Sequence, residues 1–135
     1  MKIYISHAAL NDAIATRAHF ALVNAGFETW VDHIYGQGSE GIVTEQDEKA
    51  LRRCEAELLI LSEAALASPK CAHEWKTILD RKKPLYVAVT EPIAPDDLPD
   101  RLWDRVIPYV DLQNNMDGGL EHLIHAIAGS VAPNE

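Results

Sequence analysis

An α/β fold built on a buried parallel sheet follows from three features of the 135-residue sequence. Short apolar runs alternate with amphipathic runs along the chain, the pattern of repeated βα units. One run, Leu58-Leu59-Ile60-Leu61, is apolar without interruption, as a central strand covered on both faces must be. Capping residues and glycines punctuate the places where helices should start and stop.

Ile3-Tyr4-Ile5-Ser6 is the first strand, and Asn11 or Asp12 can cap a helix whose apolar positions Ile14, Ala18, Ala21 and Leu22 recur at helical spacing. Gly26 ends that helix as its C′ residue. Phe27 to Val31 forms the second strand, followed by a loop from Asp32 to Val43. Thr44-Glu45-Gln46-Asp47 has a capping-box pattern and opens a helix to about Cys54. Ala56 to Ser62 is the central strand. Ser68-Pro69 places a cap and an N1 proline ahead of a helix to about Lys82. Pro84 to Thr90 is the fourth strand. Pro92, Pro95 and Pro99 make Glu91 to Asp104 a loop or short helical turn, before a fifth strand at Val106 to Val110. Leu120, Leu123, Ile124 and Ile127 mark the last helix. The expected architecture is a flavodoxin-like open sheet of five parallel strands with helices on both faces, in one domain spanning 1–135. Ligands bind such sheets at the carboxyl ends of the strands.

Composition narrows the function. With 47% apolar residues the chain can bury a core without staples, and Cys54 and Cys71 are too few for a disulfide framework, so they read as reduced thiols in a cytoplasmic protein. The sequence shows neither a secretory leader nor a run of eighteen apolar residues. A formal net charge of −9, from 12 basic and 21 acidic residues, argues against direct nucleic-acid binding, which needs clustered Lys and Arg.

Several motifs lose on inspection. Gly36-Gln37-Gly38-Ser39-Glu40-Gly41 matches the dinucleotide fingerprint, yet it neither follows the first strand nor opens a helix, so it reads as a loop that closes over a ligand or partner. His73-Glu74 begins like a zincin motif, but Thr77 stands where the second histidine belongs. His122 and His125 share a helix face without a third ligand, so no metal is implied. Phosphoacceptor receiver domains, which share the sheet, carry acids at the ends of strands one and three; here those places hold Ser6-His7 and Ser62.

Glu74 differs because of its position. Cys71, Trp75, Ile78 and Leu79 form the buried stripe of its helix, and Glu74 falls at the margin of that stripe, half shielded and near the strand tips. Spacing alone leaves two possibilities, an acid favoured in the first turn by the helix dipole or a functional carboxylate.

The order of features extends further: Ile3-Tyr4-Ile5-Ser6-His7, then Ala25-Gly26-Phe27-Glu28-Thr29-Trp30-Val31-Asp32, a glycine-bearing loop, Ala50-Leu51-Arg52-Arg53-Cys54, Leu58-Leu59-Ile60-Leu61-Ser62 and Ser68-Pro69-Lys70-Cys71-Ala72-His73-Glu74. Together these resemble a TIR (Toll/interleukin-1 receptor) domain over roughly the whole chain, closest to the bacterial and plant branches because the Ser-x-x-Cys-x-x-Glu pattern is kept. That resemblance implies an NAD⁺ glycohydrolase with Glu74 catalytic, NAD⁺ as substrate and no further cofactor. It also implies that His7 and Ala8 after the first strand, and Tyr35 and Gly36 in the glycine loop, line the substrate cleft, with Cys71 beneath Glu74. Many family members carry an aromatic residue four positions before the glutamate; here Lys70 stands there, a cation suited to the substrate's pyrophosphate, while Trp75 or Trp30 would supply stacking. Self-association in immune, anti-phage-like defence is implied too, with a fused or partner sensor and the chain as the N-terminal domain of a longer protein. The alternative is a non-catalytic TIR assembly module.

Overall fold

The computed structural model describes residues 1–31, 43–103 and 107–130. Its strands are β1 (Lys2–Ser6), β2 (Glu28–Val31), β3 (Ala56–Leu61), β4 (Leu85–Val89) and β5 (Tyr109–Asp111). The helices are α1 (Asp12–Asn24), α2 (Glu45–Arg53), α3 (Glu63–Leu66), α4 (Pro69–Asp80) and α5 (Met116–Ser130). The five strands form one parallel sheet in the order β2-β1-β3-β4-β5. This order is the doubly wound, flavodoxin-like one, in which the chain reverses direction across the sheet between β1 and β3.

Strand alternation divides the core into two layers. Ile3 and Ile5 of β1 and Leu58 and Ile60 of β3 face α1 and α5, where Ala15, Ala18, Leu22, Leu123 and Ile127 are buried against them. Tyr4, Leu59 and Leu61 face the other way, onto Leu51 of α2 and Trp75 and Ile78 of α4. Every residue of β3 is buried, as its unbroken apolar run requires. Glu57 is the exception of composition: it lies in β3 with no solvent exposure, in register with Tyr4 on one side and Leu85 on the other.

The boundaries are set by local chemistry. Thr44 and Asp47 form a reciprocal capping box at the start of α2. Ser68 caps α4 by accepting from the Cys71 amide at 3.2 Å, with Pro69 in the first turn. Asn11 sits at the N-cap of α1, but its side chain does not cap. It accepts instead from Ser62 Oγ at 2.7 Å, tying the tips of β1 and β3 together. Ser62 is not the last residue of the strand; it caps the short helix α3, which the sequence pattern did not signal.

Two helices end in the same motif. After α1, Gly26 adopts φ 96° while the Phe27 amide bonds Leu22 O and the Gly26 amide bonds Val23 O. After α4, Lys82 takes the left-handed position with φ 59°, Lys83 N bonding Ile78 O and Lys82 N bonding Leu79 O, so the helix ends two residues before the expected limit. The Lys83 ammonium then donates to Leu51 O, Arg52 O and Cys54 O, satisfying carbonyls at the end of α2. β5 is shorter than expected and begins at Tyr109, after Pro108, which lacks an amide proton for the ladder. Val106 lies outside the described residues.

Between β4 and β5 the described residues of the crossover form two short 3₁₀ turns, Pro95–Asp97 and Asp100–Trp103, and no helix of greater length. A cavity of about 580 Å³ lies beneath them, lined by apolar side chains such as Leu61, Val89, Ile93, Leu98 and Leu102. Glu74 is not among its lining residues.

A methyl group at position 26 would meet no atom within 4 Å, so the cost of Gly26→Ala is conformational alone. Chemical denaturation should show a loss of about 1 kcal/mol with an unchanged m-value. An unchanged midpoint would mean that the helix end rearranges.

Candidate active site

The site is assembled from one face of β1 and the first turns of α4. Tyr4 and Ser6, two residues apart on β1, project to the same side of the sheet. The Ser68 cap starts α4 so that Lys70 and Glu74, four residues apart, also share a side, and it is the side turned to β1. Tyr4 OH donates to Glu74 Oε2 at 2.5 Å, and Ser6 Oγ donates to Glu74 Oε1 at 2.6 Å. Lys70 Nζ donates to Oε2 at 2.7 Å.

Glu74 has no solvent exposure, which corrects the half-shielded position at the margin of the stripe read from helical spacing. The physical reason is β1: two hydroxyl donors draw the carboxylate down onto the sheet, and a buried ammonium covers it. Helical spacing assigns a face from apolar partners only, so it cannot see a polar seat prepared on a neighbouring strand.

Burial pushes the Glu74 carboxyl above its usual range; the charge and hydrogen bond of Lys70, with the Ser6 and Tyr4 hydroxyls, pull it back without cancelling the rise. Tyr4 is held protonated by its own burial and by the neighbouring charge of Glu74, so it serves as a donor. Cys71 is fully buried, and burial, with Glu74 beside it, pushes its thiol up to about 11, which makes it a packing neighbour and not a nucleophile. Asp47, 1% exposed, lies with Oδ2 3.9 Å from Lys70 Nζ and accepts from Trp30 Nε1 at 3.3 Å. The α2 cap therefore touches the cation that holds Glu74. Glu57 completes the cluster: among the described residues its two carboxyl oxygens have no hydrogen-bond partner, and burial, reinforced by the charge of Glu74, holds it well above the usual carboxylate range.

Of the residues expected to form the site, the structure brings together Lys70, Cys71 and Glu74. His7, buried, follows β1 and has Nε2 2.6 Å from Asp12 Oδ1, while Ala8 is half-buried just before the 3₁₀ turn Ala9–Asn11. Tyr35 and Gly36 lie outside the described residues. Lys70 is 6% exposed and donates to Glu74. Tyr4, Ser6, Asp47 and Glu57 were missed. The i, i+2 pair of hydroxyls on β1 and the i, i+4 Lys70–Glu74 pair were visible signals for part of this cluster.

These features define a doubly wound α/β domain with a polar cluster sealed under the carboxyl end of β1. A family model described as the TIR domain matches residues 3–124, and the chain belongs to the TIR family. Among solved structures, the TIR domain of the Toll-related receptor TRR-2 from Hydra magnipapillata superposes with a TM-score of 0.68 at 13% identity, covering 95% of this chain and 94% of that one. The TIR domains of the activated Roq1 resistosome, which directly recognises the pathogen effector XopQ, match with a TM-score of 0.64 at 15% identity, covering 96% and 98%. At these identities the likeness concerns the fold. None of the curated proteins matches the chain. No helix among the described residues is long and apolar enough to cross a membrane.

Glu57 supplies a pH test. Its carboxyl titrates higher in the folded than in the unfolded chain, so the folded state binds the extra proton and stability falls as pH rises above about 4.5, the ordinary value. Glu57→Gln should remove that part of the slope in thermal melts between pH 5 and 8, as an order-of-magnitude window. A wild-type and variant pair with parallel pH profiles would contradict the assignment of Glu57 as a neutral acid.

Proposed function

We propose that the chain is an NAD⁺ glycohydrolase that cleaves the bond between ribose C1′ and the nicotinamide nitrogen, with Glu74 as its catalytic carboxylate. The observation that carries this proposal is a carboxylate withdrawn completely from water at the carboxyl end of β1, given three donors that favour its charged form. Such a group is a preorganised negative charge in a low-dielectric setting, where it stabilises a developing cation far better than in water.

The chemistry suits a single acid residue. In NAD⁺ the nicotinamide is bonded as a pyridinium, so the C1′–N bond breaks with both electrons passing to the ring nitrogen, and nicotinamide leaves neutral. No general acid is required. The ribose becomes oxocarbenium-like, as in glycoside cleavage. Glu74 opposes that charge and orients the ribose hydroxyls. Water then adds to C1′ and loses a proton, giving ADP-ribose; capture by the adenine of the same molecule, again with loss of a proton, gives a cyclic product.

The resting arrangement leaves Glu74 no exposed surface, so substrate reaches it only when the cluster opens. This supports activation by self-association, in which a neighbouring protomer alters the strand tips, in a cytoplasmic defence protein whose sensor is fused or separate. The same burial favours a second reading, a non-catalytic assembly module in which the Lys70–Glu74 pair is structural.

Nicotinamide released from NAD⁺ by concentrated or crowded protein distinguishes the two. Wild type should release it, dilution should suppress the release, and Glu74→Gln should lower it on the order of 10²-fold or more, with circular dichroism confirming that the variant is folded. Equal release from both proteins would remove Glu74 from catalysis. No release from either, even in forced assemblies, would favour the assembly module.

A further inference from the structure

We infer that Lys70 is a positioning residue whose ammonium keeps Glu74 ionised inside the dry site, and that it is not a ligand of the substrate's pyrophosphate. The inference rests on the glycohydrolase reading above. It concerns how the site is charged before any substrate arrives.

The geometry is specific. Lys70 Nζ lies 2.7 Å from Glu74 Oε2, and the two residues are 6% and 0% exposed. Asp47 Oδ2 also lies 3.9 Å from the cation. Asp47 is itself fixed by the Thr44 amide at 3.0 Å and by Trp30 Nε1. In the resting protein the ammonium is engaged with these two carboxylates, and its stem is buried with it.

Among the described residues, each group packed around the carboxylate bears on its charge. From β1, Tyr4 and Ser6 donate hydroxyl hydrogen bonds. From β3, Glu57 contributes a buried acid without a hydrogen-bond partner. From α4 come Lys70 and the protonated thiol of Cys71, and from α2 comes Asp47, facing Lys70. Among the described residues Lys70 is thus the cation of the cluster, and burial opposes the charge of Glu74. Without the ammonium, the two hydroxyls alone would have to keep the carboxylate charged against that burial, so at neutral pH a larger share of the chains would hold a neutral, inactive Glu74.

The test is the pH dependence of nicotinamide release for wild type, Lys70→Met, Lys70→Gln and Lys70→Arg. In Met and Gln the rising limb of kcat should move up by about one to three pH units, activity should recover at high pH, and KM should change by less than about twofold. Arg, which keeps the charge, should restore the limb. A tenfold rise in KM with the limb unmoved would overturn the inference and make Lys70 a diphosphate ligand. A lowered Tm with limb and KM both unmoved would overturn it in favour of a structural pair. A readout that needs no turnover accompanies these: the ¹³C carboxyl resonance of Glu74 in glutamate-labelled resting protein should titrate higher in Lys70→Gln than in wild type, and coincident titrations would refute the inference. If wild type and Glu74→Gln release nicotinamide equally, the glycohydrolase reading falls, while this titration still decides what Lys70 does to Glu74.

Discussion

A carboxylate sealed from water under the end of β1 is the constraint around which the rest of this domain is arranged. Removing an ion from water costs several kcal/mol even after relaxation, and partners recover that cost only with good geometry. Glu74 has such partners on both oxygens, with hydroxyls from β1 on one side and an ammonium from its own helix on the other. Each partner imposes a condition. β1 must present Tyr4 and Ser6 on the α4 side while Ile3 and Ile5 fill the opposite core. α4 must begin at Ser68 and Pro69, because a start one residue later would turn Lys70 and Glu74 by about 100° away from the sheet.

The same constraint spreads to neighbouring elements. Asp47 closes the capping box of α2 and also stands beside Lys70, so the start of that helix and the charge of Glu74 share one side chain. Glu57, in the middle of the most buried strand, is compatible with its surroundings as a neutral acid, since a second charge beside Glu74 would be repelled. Replacing a buried ion pair by apolar residues of the same shape is often neutral or stabilising, so stability is weak grounds for the arrangement. On the glycohydrolase reading its value lies in function: a charge already desolvated and oriented needs no reorganisation when a cationic transition state forms. On the same reading burial explains restraint, because a carboxylate without exposed surface does nothing until its covering moves.

How much of this could be read from the sequence depends on which force sets each feature. The central strand was plain, because Leu58-Leu59-Ile60-Leu61 fits only a doubly covered position. The caps at Thr44 and Ser68 and the left-handed exit at Gly26 were equally legible, being local chemistry. Lys82 in the same left-handed position was not, since a lysine there advertises nothing. Local sequence offers Asn11 or Asp12 as a side-chain cap, and it cannot show that the Asn11 side chain instead meets Ser62, fifty-one residues away. The site divides in the same manner. Glu74 stood out through its helix position and through the ordered TIR-like features, whereas the depth of its burial depended on Tyr4 and Ser6, about seventy residues distant. Glu57 was hidden by its own strand, where a single acid among leucines reads as a solvated position and not as a buried one.

The central claim is that the sealed Glu74 carboxylate is the group that meets the ribose of NAD⁺. Its most direct test uses glutamate-labelled protein under associating conditions, titrated with carba-NAD⁺, whose nicotinamide bond is not cleaved, while the ¹³C carboxyl resonance of Glu74 is followed. The account predicts that this resonance shifts saturably as the carboxylate leaves its hydroxyl donors for the ribose. Saturable binding of the analogue with the Glu74 resonance unmoved would contradict it.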